Sequence, residues 1–161
     1  MKELSTALVR LLFEKGLTIS TAESCTGGLI AKCITDVSGA SSVFYGGVVS
    51  YDNSVKENVL SVSGDVLRTL GAVSAPVACR MAEGVKKLMK TDIGISTTGI
   101  AGPGGGTFEK PVGTVYIGFS YNGKTESELL TLCPEHSRDE IRKETVSEIL
   151  KRTIEKICQN Y

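Results

Sequence analysis

Histidine is scarce in this 161-residue sequence, tryptophan is missing, and neither sign of charge is in excess. His136 is the single histidine, so a catalytic cysteine–histidine pair has no other partner to use. The 18 basic residues balance 18 acidic ones, which leaves no global electrostatic attraction for nucleic acid or an anionic membrane. We therefore expect neither nucleic acid nor a membrane as a partner, and an anionic ligand would have to be bound by a local site on the protein.

Paired cysteine motifs and long apolar runs are also lacking. The five cysteines are scattered without CxxC spacing, which weakens zinc and thioredoxin-like interpretations and favours reduced thiols. No apolar run approaches the length of a membrane span, and the N-terminal segment lacks a signal-peptide cleavage pattern. We therefore expect a soluble cytoplasmic protein whose residues 1–161 form one domain.

Helical and strand-like patterns alternate along the chain. Helices are predicted over about 2–15, 29–37, 65–70, 74–88 and 137–158, and strands over 17–22, 43–52, 91–99, 113–121 and 124–133. Another helix, capped by Asp52 or Asn53, is predicted to run through Val55 to about Leu60. Asn122-Gly123 is the strongest hairpin signal and requires an antiparallel pair. In the fifth helix, a buried stripe is predicted at Val77, Met81, Val85 and Leu88. The sequence thus predicts a layered α/β fold with a mixed sheet.

The stretch TAESCTGG, residues 21–28, places hydroxyls, a thiol and a carboxylate before two glycines, between a strand and a helix. One interpretation is structural: Ser24 or Thr26 caps the helix, and the glycines allow close packing. The other is a nucleophile, Ser24, at a helix N-terminus whose free N–H groups also stabilise an oxyanion. Cys25 is the rival nucleophile.

A serine nucleophile needs a base. His136 is one candidate, although it precedes the helix-capping Ser137 on a polar turn, where a surface histidine is the alternative. A lysine is the other, because a partly buried lysine loses basicity and can accept a proton. Lys56, which follows Tyr51 at a strand end, is a candidate for this base. The alternative interpretation is that Lys56 is a solvated residue on a helix.

A glycine-rich loop, GIAGPGGG at 99–106, follows the strand that ends at Thr98 and Gly99. It matches neither common phosphate-binding glycine motif, so it is either a mobile surface loop or an anion-binding nest of backbone N–H groups. Arg138 lies in the first turn of the last helix, where it is either an exposed arginine or a phosphate ligand.

Four stretches together resemble one family: TAESCTGGLIAKCITDVSGAS, GGVVSYDNSVKENVL, STTGIAGPGGG with KPVGTVYIGF, and SRDEIR. In this order they are similar to the CinA C-terminal domain family, whose standalone members include nicotinamide-nucleotide amidohydrolases. The resemblance implies a three-layer α/β/α sandwich around a mixed sheet. It also implies hydrolysis of the carboxamide of nicotinamide mononucleotide, a small-molecule nucleotide substrate, and a homo-oligomer.

The motifs also imply roles for individual residues. Ser24 would be the nucleophile, and Tyr51 and Lys56 its activating partners. The substrate-binding residues would be Thr26, Gly27, Thr98, Gly99 and Arg138. Arg138 would bind the phosphate, and N–H groups at the helix start and near Thr98 would hold the oxyanion. No metal or cofactor is expected. Two alternatives stay open: a Ser–Lys hydrolase of another small amide or ester, and a non-catalytic nucleotide-binding or regulatory domain.

Overall fold

A computed structural model describes residues 1–159, and its elements follow the predicted order. Within those residues lie α1 (Lys2–Lys15), β1 (Ile19–Glu23), α2 (Leu29–Thr35), β2 (Phe44–Val49), α3 (Asn53–Asn58), α4 (Gly64–Leu70), α5 (Ala75–Met89), β3 (Ile93–Gly99), β4 (Thr114–Tyr121), β5 (Lys124–Thr131) and α6 (Arg138–Gln159), with a short 3-10 helix at Ala40–Ser42.

The five strands form one mixed sheet in the order β2-β1-β3-β4-β5. Strand β1 is parallel to both β2 and β3, whereas β4 is antiparallel to β3 and to β5. Asn122 and Gly123 join β4 to β5 with φ angles of 48° and 75°, as a two-residue turn with both central residues at positive φ requires. The predicted hairpin and mixed sheet are confirmed.

Helices cover both faces of the sheet, which confirms the α/β/α arrangement. Helix α5 packs across one face with α4, where Ala22, Val77 and Met81 belong to one buried cluster. Helices α1, α2 and α6 pack on the other face around a larger cluster that includes Leu8 and Ile141. Leu88 is a correction to the predicted stripe, because it is 48% exposed at the end of α5 while the other three residues are buried.

Glycines set the distance between α5 and the sheet. A Cβ atom on Gly94 of β3 would lie 2.1 Å from the Ala82 carbonyl oxygen, and one on Gly118 of β4 would lie 2.5 Å from that of Ala78. Real Cβ atoms do not approach so closely, so both strands need glycine for the helix to pack at this distance. Among the described residues, no helix combines the length and apolarity needed to cross a bilayer.

Strand β2 is shorter than predicted, and its early end positions part of the site. The chain leaves the sheet after Val49 rather than at Asp52. The N–H of Ser50 donates to the Glu23 carbonyl, and the Asp52 carboxylate then caps α3 by accepting from the Ser54 N–H at 2.8 Å. Helix α3 therefore starts at Asn53, as the predicted cap at Asp52 allows, and it ends at Asn58 rather than at about Leu60.

Candidate active site

A cavity of about 200 Å³ lies at the carboxyl ends of β1 and β3, beside the segment that follows β2. This is the edge at which ligands bind in sheets of parallel strands. Six of the eight predicted site residues line it: Ser24, Tyr51, Lys56, Thr98, Gly99 and Arg138. The other described residues of the lining are Cys25, Asn53, Ala72, Val73 and Ala101.

Ser24 lies in a turn between β1 and α2. Its N–H donates to the Thr97 carbonyl of β3 at 2.9 Å, and its carbonyl accepts from the Gly27 N–H at 3.1 Å. Gly27 and Gly28 have φ angles of 58° and 93°, which a residue with a side chain adopts only at a cost. Gly28 is the N-cap of α2, so the alternative that Ser24 or Thr26 caps this helix is wrong.

Glu23, which the sequence interpretation overlooked, organises this turn from inside. The residue is 1% exposed. Its carboxylate accepts hydrogen bonds from the Thr26 hydroxyl at 2.7 Å and from the N–H groups of Gly28, Ile30 and Ala31 at 3.0, 3.0 and 2.8 Å. A carboxylate facing a helix N-terminus is favoured by the helix dipole as well as by these bonds.

This arrangement corrects the prediction that N–H groups at the helix start hold an oxyanion. The first donors of α2 are occupied by Glu23. In the described part of the chain, the N–H groups of Cys25 and Thr26 make no hydrogen bond to another residue, and both belong to the turn itself. The remaining candidate donors in this region therefore follow Ser24 directly, and an oxyanion site stays a prediction.

Thr26 and Gly27 support the turn and are absent from the described lining of the cavity. The Thr26 hydroxyl lies 2.7 Å from the Glu23 carboxylate and 2.8 Å from the Thr97 hydroxyl. Its carbonyl accepts a 2.7 Å hydrogen bond from Arg142 of α6, a second residue that the sequence interpretation overlooked. The sequence feature that could have identified Arg142 is its position one helical turn after Arg138 in SRDEIR. A substrate-binding role for Thr26 and Gly27 stays a prediction.

Lys56 is 1% exposed, which excludes the alternative of a solvated helix residue. Its Nζ donates to the carbonyl oxygens of Ser50 at 2.7 Å and Tyr51 at 3.2 Å. Burial lowers the pKa of the Lys56 amine below its ordinary value, and the nearby Asp52 carboxylate opposes that shift only in part. A larger fraction of the amine is therefore neutral at a given pH than for a lysine in water.

Cys25 is the weaker of the two candidate nucleophiles. The residue is 6% exposed, and burial raises the pKa of its thiol to about 12. Because the thiolate is the nucleophilic form of cysteine, the thiol is almost entirely unreactive at neutral pH. His136 does not lie at the described cavity; its Nδ1 is 3.2 Å from the Glu144 carboxylate on α6. These two observations favour the Ser24–Lys56 pair.

Tyr51 and Arg138 meet at the rim of the cavity. One terminal nitrogen of Arg138 donates to the Tyr51 hydroxyl and the other to the Gly102 carbonyl, both at 2.9 Å. Ser137 and Glu140 form the predicted capping box, so Arg138 is fixed as the first residue of α6. Within the described residues, the Tyr51 hydroxyl makes no hydrogen bond to Ser24 or Lys56, and its activating role stays a prediction.

The opposite wall of the cavity is the segment between α4 and α5. The Thr98 hydroxyl donates to the Ala72 carbonyl at 2.8 Å, and the Lys110 amine donates to the Val73 carbonyl at 2.7 Å. Gly99 has no room for a side chain, because a Cβ atom there would lie 2.6 Å from Val115 Cγ2. The end of β3 and Lys110, which follows the glycine-rich loop, therefore hold this wall in place.

Comparison with known proteins agrees with the motifs. The family model of the CinA C-terminal domain matches residues 1–157. A competence-damage inducible protein of Thermoanaerobacter pseudethanolicus is 53% identical over 145 residues, which are 90% of this chain and 35% of that protein. The chain thus spans about a third of the length of the curated relatives it matches.

Solved structures show the same fold. The competence/damage inducible protein CihA from Agrobacterium tumefaciens superposes with a TM-score of 0.92 at 40% identity, covering 95% of this chain and 93% of that chain. A CinA superfamily protein from Klebsiella pneumoniae superposes with a TM-score of 0.94 at 30% identity, covering 98% of both chains. From the motifs, the cavity and these matches, the chain belongs to the CinA C-terminal domain family.

Proposed function

We propose that this protein hydrolyses the carboxamide of nicotinamide mononucleotide to nicotinate mononucleotide and ammonia. The observation that carries the proposal is that Ser24 and the buried, less basic amine of Lys56 line one cavity, with Arg138 at its rim. A serine with a lysine base suits acyl transfer, and a guanidinium suits a phosphate. Membership of the family supports this reading.

In the proposed first step, neutral Lys56 accepts the hydroxyl proton of Ser24 while Oγ attacks the carboxamide carbon. A neutral amine has two N–H donors and one lone pair, and the carbonyls of Ser50 and Tyr51 accept both N–H groups. The nitrogen lone pair then remains to accept the proton of the Ser24 hydroxyl. The N–H of Cys25, which lines the cavity directly after Ser24, is a candidate to hold the oxyanion.

In the second step the tetrahedral intermediate collapses. The Lys56 ammonium returns its proton to the leaving nitrogen, the C–N bond breaks, and ammonia departs. Water then attacks the acyl-serine ester with Lys56 again as base. The ester bond breaks, the proton returns to Ser24, and the acid product leaves, so that one amide and one water yield one acid and one ammonia.

Arg138 is proposed to bind the phosphate. A guanidinium has five N–H donors, and two of these are used on Gly102 and Tyr51, so three remain for an anion. Since Arg138 also donates to the Gly102 carbonyl, the glycine-rich loop would lie beside the same anion. Tyr51 would then orient Arg138 as well as close the rim.

The test is incubation with nicotinamide mononucleotide, with ammonia measured enzymatically and the acid product by chromatography. We expect equal amounts of both from the unaltered protein, and none from Ser24→Ala, which retains mononucleotide binding. Binding without ammonia release would favour the non-catalytic alternative. Release of ammonia only from other small amides would favour a different substrate for the same pair.

A further inference from the structure

We infer that Arg142 is a positioning residue that holds the Ser24 turn in its reactive conformation. The kinetic test of this inference rests on the proposed function, because it measures turnover of the proposed substrate. Arg142 is outside the set of described residues that line the cavity, so it does not act by touching substrate there. Its effect would pass through the backbone of the turn.

One hydrogen bond joins Arg142 to the turn, and its guanidinium also lies beside Gly27. Its terminal nitrogen Nη2 donates to the Thr26 carbonyl at 2.7 Å, across 116 positions of sequence. The same nitrogen lies 3.5 Å from the position of a Cβ atom on Gly27. A buried Nε without a protein partner shows that this guanidinium is held against the turn rather than extended into water. Helix α6 therefore closes the outer side of the turn.

The turn needs such an outer contact because of its backbone. From the inside it is held by Glu23 and by the bond from Ser24 N–H to Thr97. Gly27 and Gly28 follow in succession at positive φ, where glycine has the widest choice of other conformations. A guanidinium on the Thr26 carbonyl fixes the orientation of the peptide between the nucleophile and these glycines.

A purely structural role, in which Arg142 docks α6, makes a different prediction. Helix α6 is already anchored by buried side chains on both sides of Arg142, including Ile141, Thr145 and Val146. Removing one half-buried arginine leaves that packing intact. Loss of the arginine should therefore change the geometry of the nucleophile more than the stability of the fold.

The kinetic experiment compares Arg142→Ala and Arg142→Lys with Lys143→Ala, an exposed neighbour on the same helix. We expect Arg142→Ala to lower kcat about 10- to 100-fold, since small misplacements of reacting groups have effects of this size. KM should change by less than about threefold, because Arg138 still binds the phosphate. Arg142→Lys should recover part of kcat by donating one hydrogen bond, and Lys143→Ala should match the unaltered protein.

Two further measurements separate positioning from other causes. The pH at which kcat/KM is half-maximal should be the same in Arg142→Ala, because Lys56 is still the base. Thermal unfolding should show similar Tm values for all variants. An unchanged kcat, or a loss of activity that parallels a fall in Tm in both Arg142 variants, would overturn the inference.

A probe that does not depend on the substrate distinguishes this inference from the proposed function. A fluorophosphonate is used to label serine, and the second-order rate at Ser24 is followed by mass spectrometry, with the exposed Ser41 as internal reference. We expect faster labelling of Ser24 than of Ser41, and about a tenfold slower rate at Ser24 in Arg142→Ala. This outcome would support the inference even if no ammonia were formed from the mononucleotide. An unchanged labelling rate at Ser24 in Arg142→Ala would overturn it.

Discussion

At the scale of single residues, burial decides which side chains of the cavity can react. Lys56 and Cys25 line the same cavity as Ser24, and both side chains are buried away from water. Desolvation disfavours the charged form of each, so it leaves more of the amine neutral and able to accept a proton, and less of the thiol in the nucleophilic thiolate form. One physical effect therefore favours serine over cysteine at this site.

The pH dependence of activity should follow Lys56. Its amine must be neutral to accept a proton, so kcat/KM should rise with pH through the pKa of this group. Because burial lowers that pKa, the rise should fall below the ordinary lysine value of about 10.4. The measurement is kcat/KM from about pH 5 to about pH 10. Lys56→Arg, which stays protonated, should be inactive throughout, and a profile without this rise would contradict the assignment.

Alkylation should leave the activity intact. Iodoacetamide at neutral pH should modify the exposed Cys133 and Cys158, while Cys25, whose thiol pKa is raised to about 12, stays unmodified. Peptide mass spectrometry combined with residual activity checks this expectation. Cys25→Ala should keep turnover, with inactive Ser24→Ala as the reference. Loss of activity that follows alkylation of Cys25 would move the nucleophile to that residue.

At the scale of elements, the turn after β1 depends on interactions that a linear pattern does not display. In TAESCTGG, the serine and glycines indicate a nucleophile beside a helix start, and the sequence therefore predicts the oxyanion site at that helix start. The buried Glu23 carboxylate takes those donors instead. The carboxyl end of strand β2 is predicted three residues too late, because Ser50 and Tyr51 are compatible with a strand until Asp52 caps α3.

Glu23 should contribute strongly to stability. Glu23→Gln places an amide NH₂ against backbone N–H donors, and at least one buried donor loses its acceptor. We expect a loss of about 3 kcal/mol in the free energy of unfolding, which is the scale of a buried charge-assisted hydrogen bond and an unsatisfied donor. Urea denaturation measures it, with the exposed Glu135→Gln as the matched control. Equal stabilities of the two variants would show that the carboxylate is dispensable.

At the scale of the whole molecule, the sequence predicted the architecture well and the site in part. Apolar periodicity and Asn122-Gly123 were sufficient for the alternation of elements and the antiparallel hairpin. The order of the strands and the bond from Arg142 to Thr26 depend on how distant segments pack, which local patterns do not contain. The homo-oligomer implied by the family motifs stays a prediction.

Ligand binding should stabilise the whole chain, because the cavity joins segments near residues 24, 51, 98 and 138. Nicotinate mononucleotide at one hundred times its Kd adds about 2.7 kcal/mol to the free energy of unfolding. In a domain of this length that raises Tm by roughly 5–11 °C. Differential scanning fluorimetry measures the shift. Arg138→Ala should lose most of it at the same ligand concentration, and an equal shift in both proteins would remove Arg138 from the phosphate site.

The position of α6 in the chain has a consequence for biosynthesis. Its two arginines contact Gly102, Tyr51 and Thr26, all of which leave the ribosome earlier than α6 does. A nascent chain that has produced the sheet but not this helix carries Ser24 and Lys56 without the arginines that contact the turn and the cavity rim. On the proposed function, translation completes the nucleophile and its base before the residues that position the turn and bind the phosphate, and we expect a shortened chain ending after β5 to be inactive.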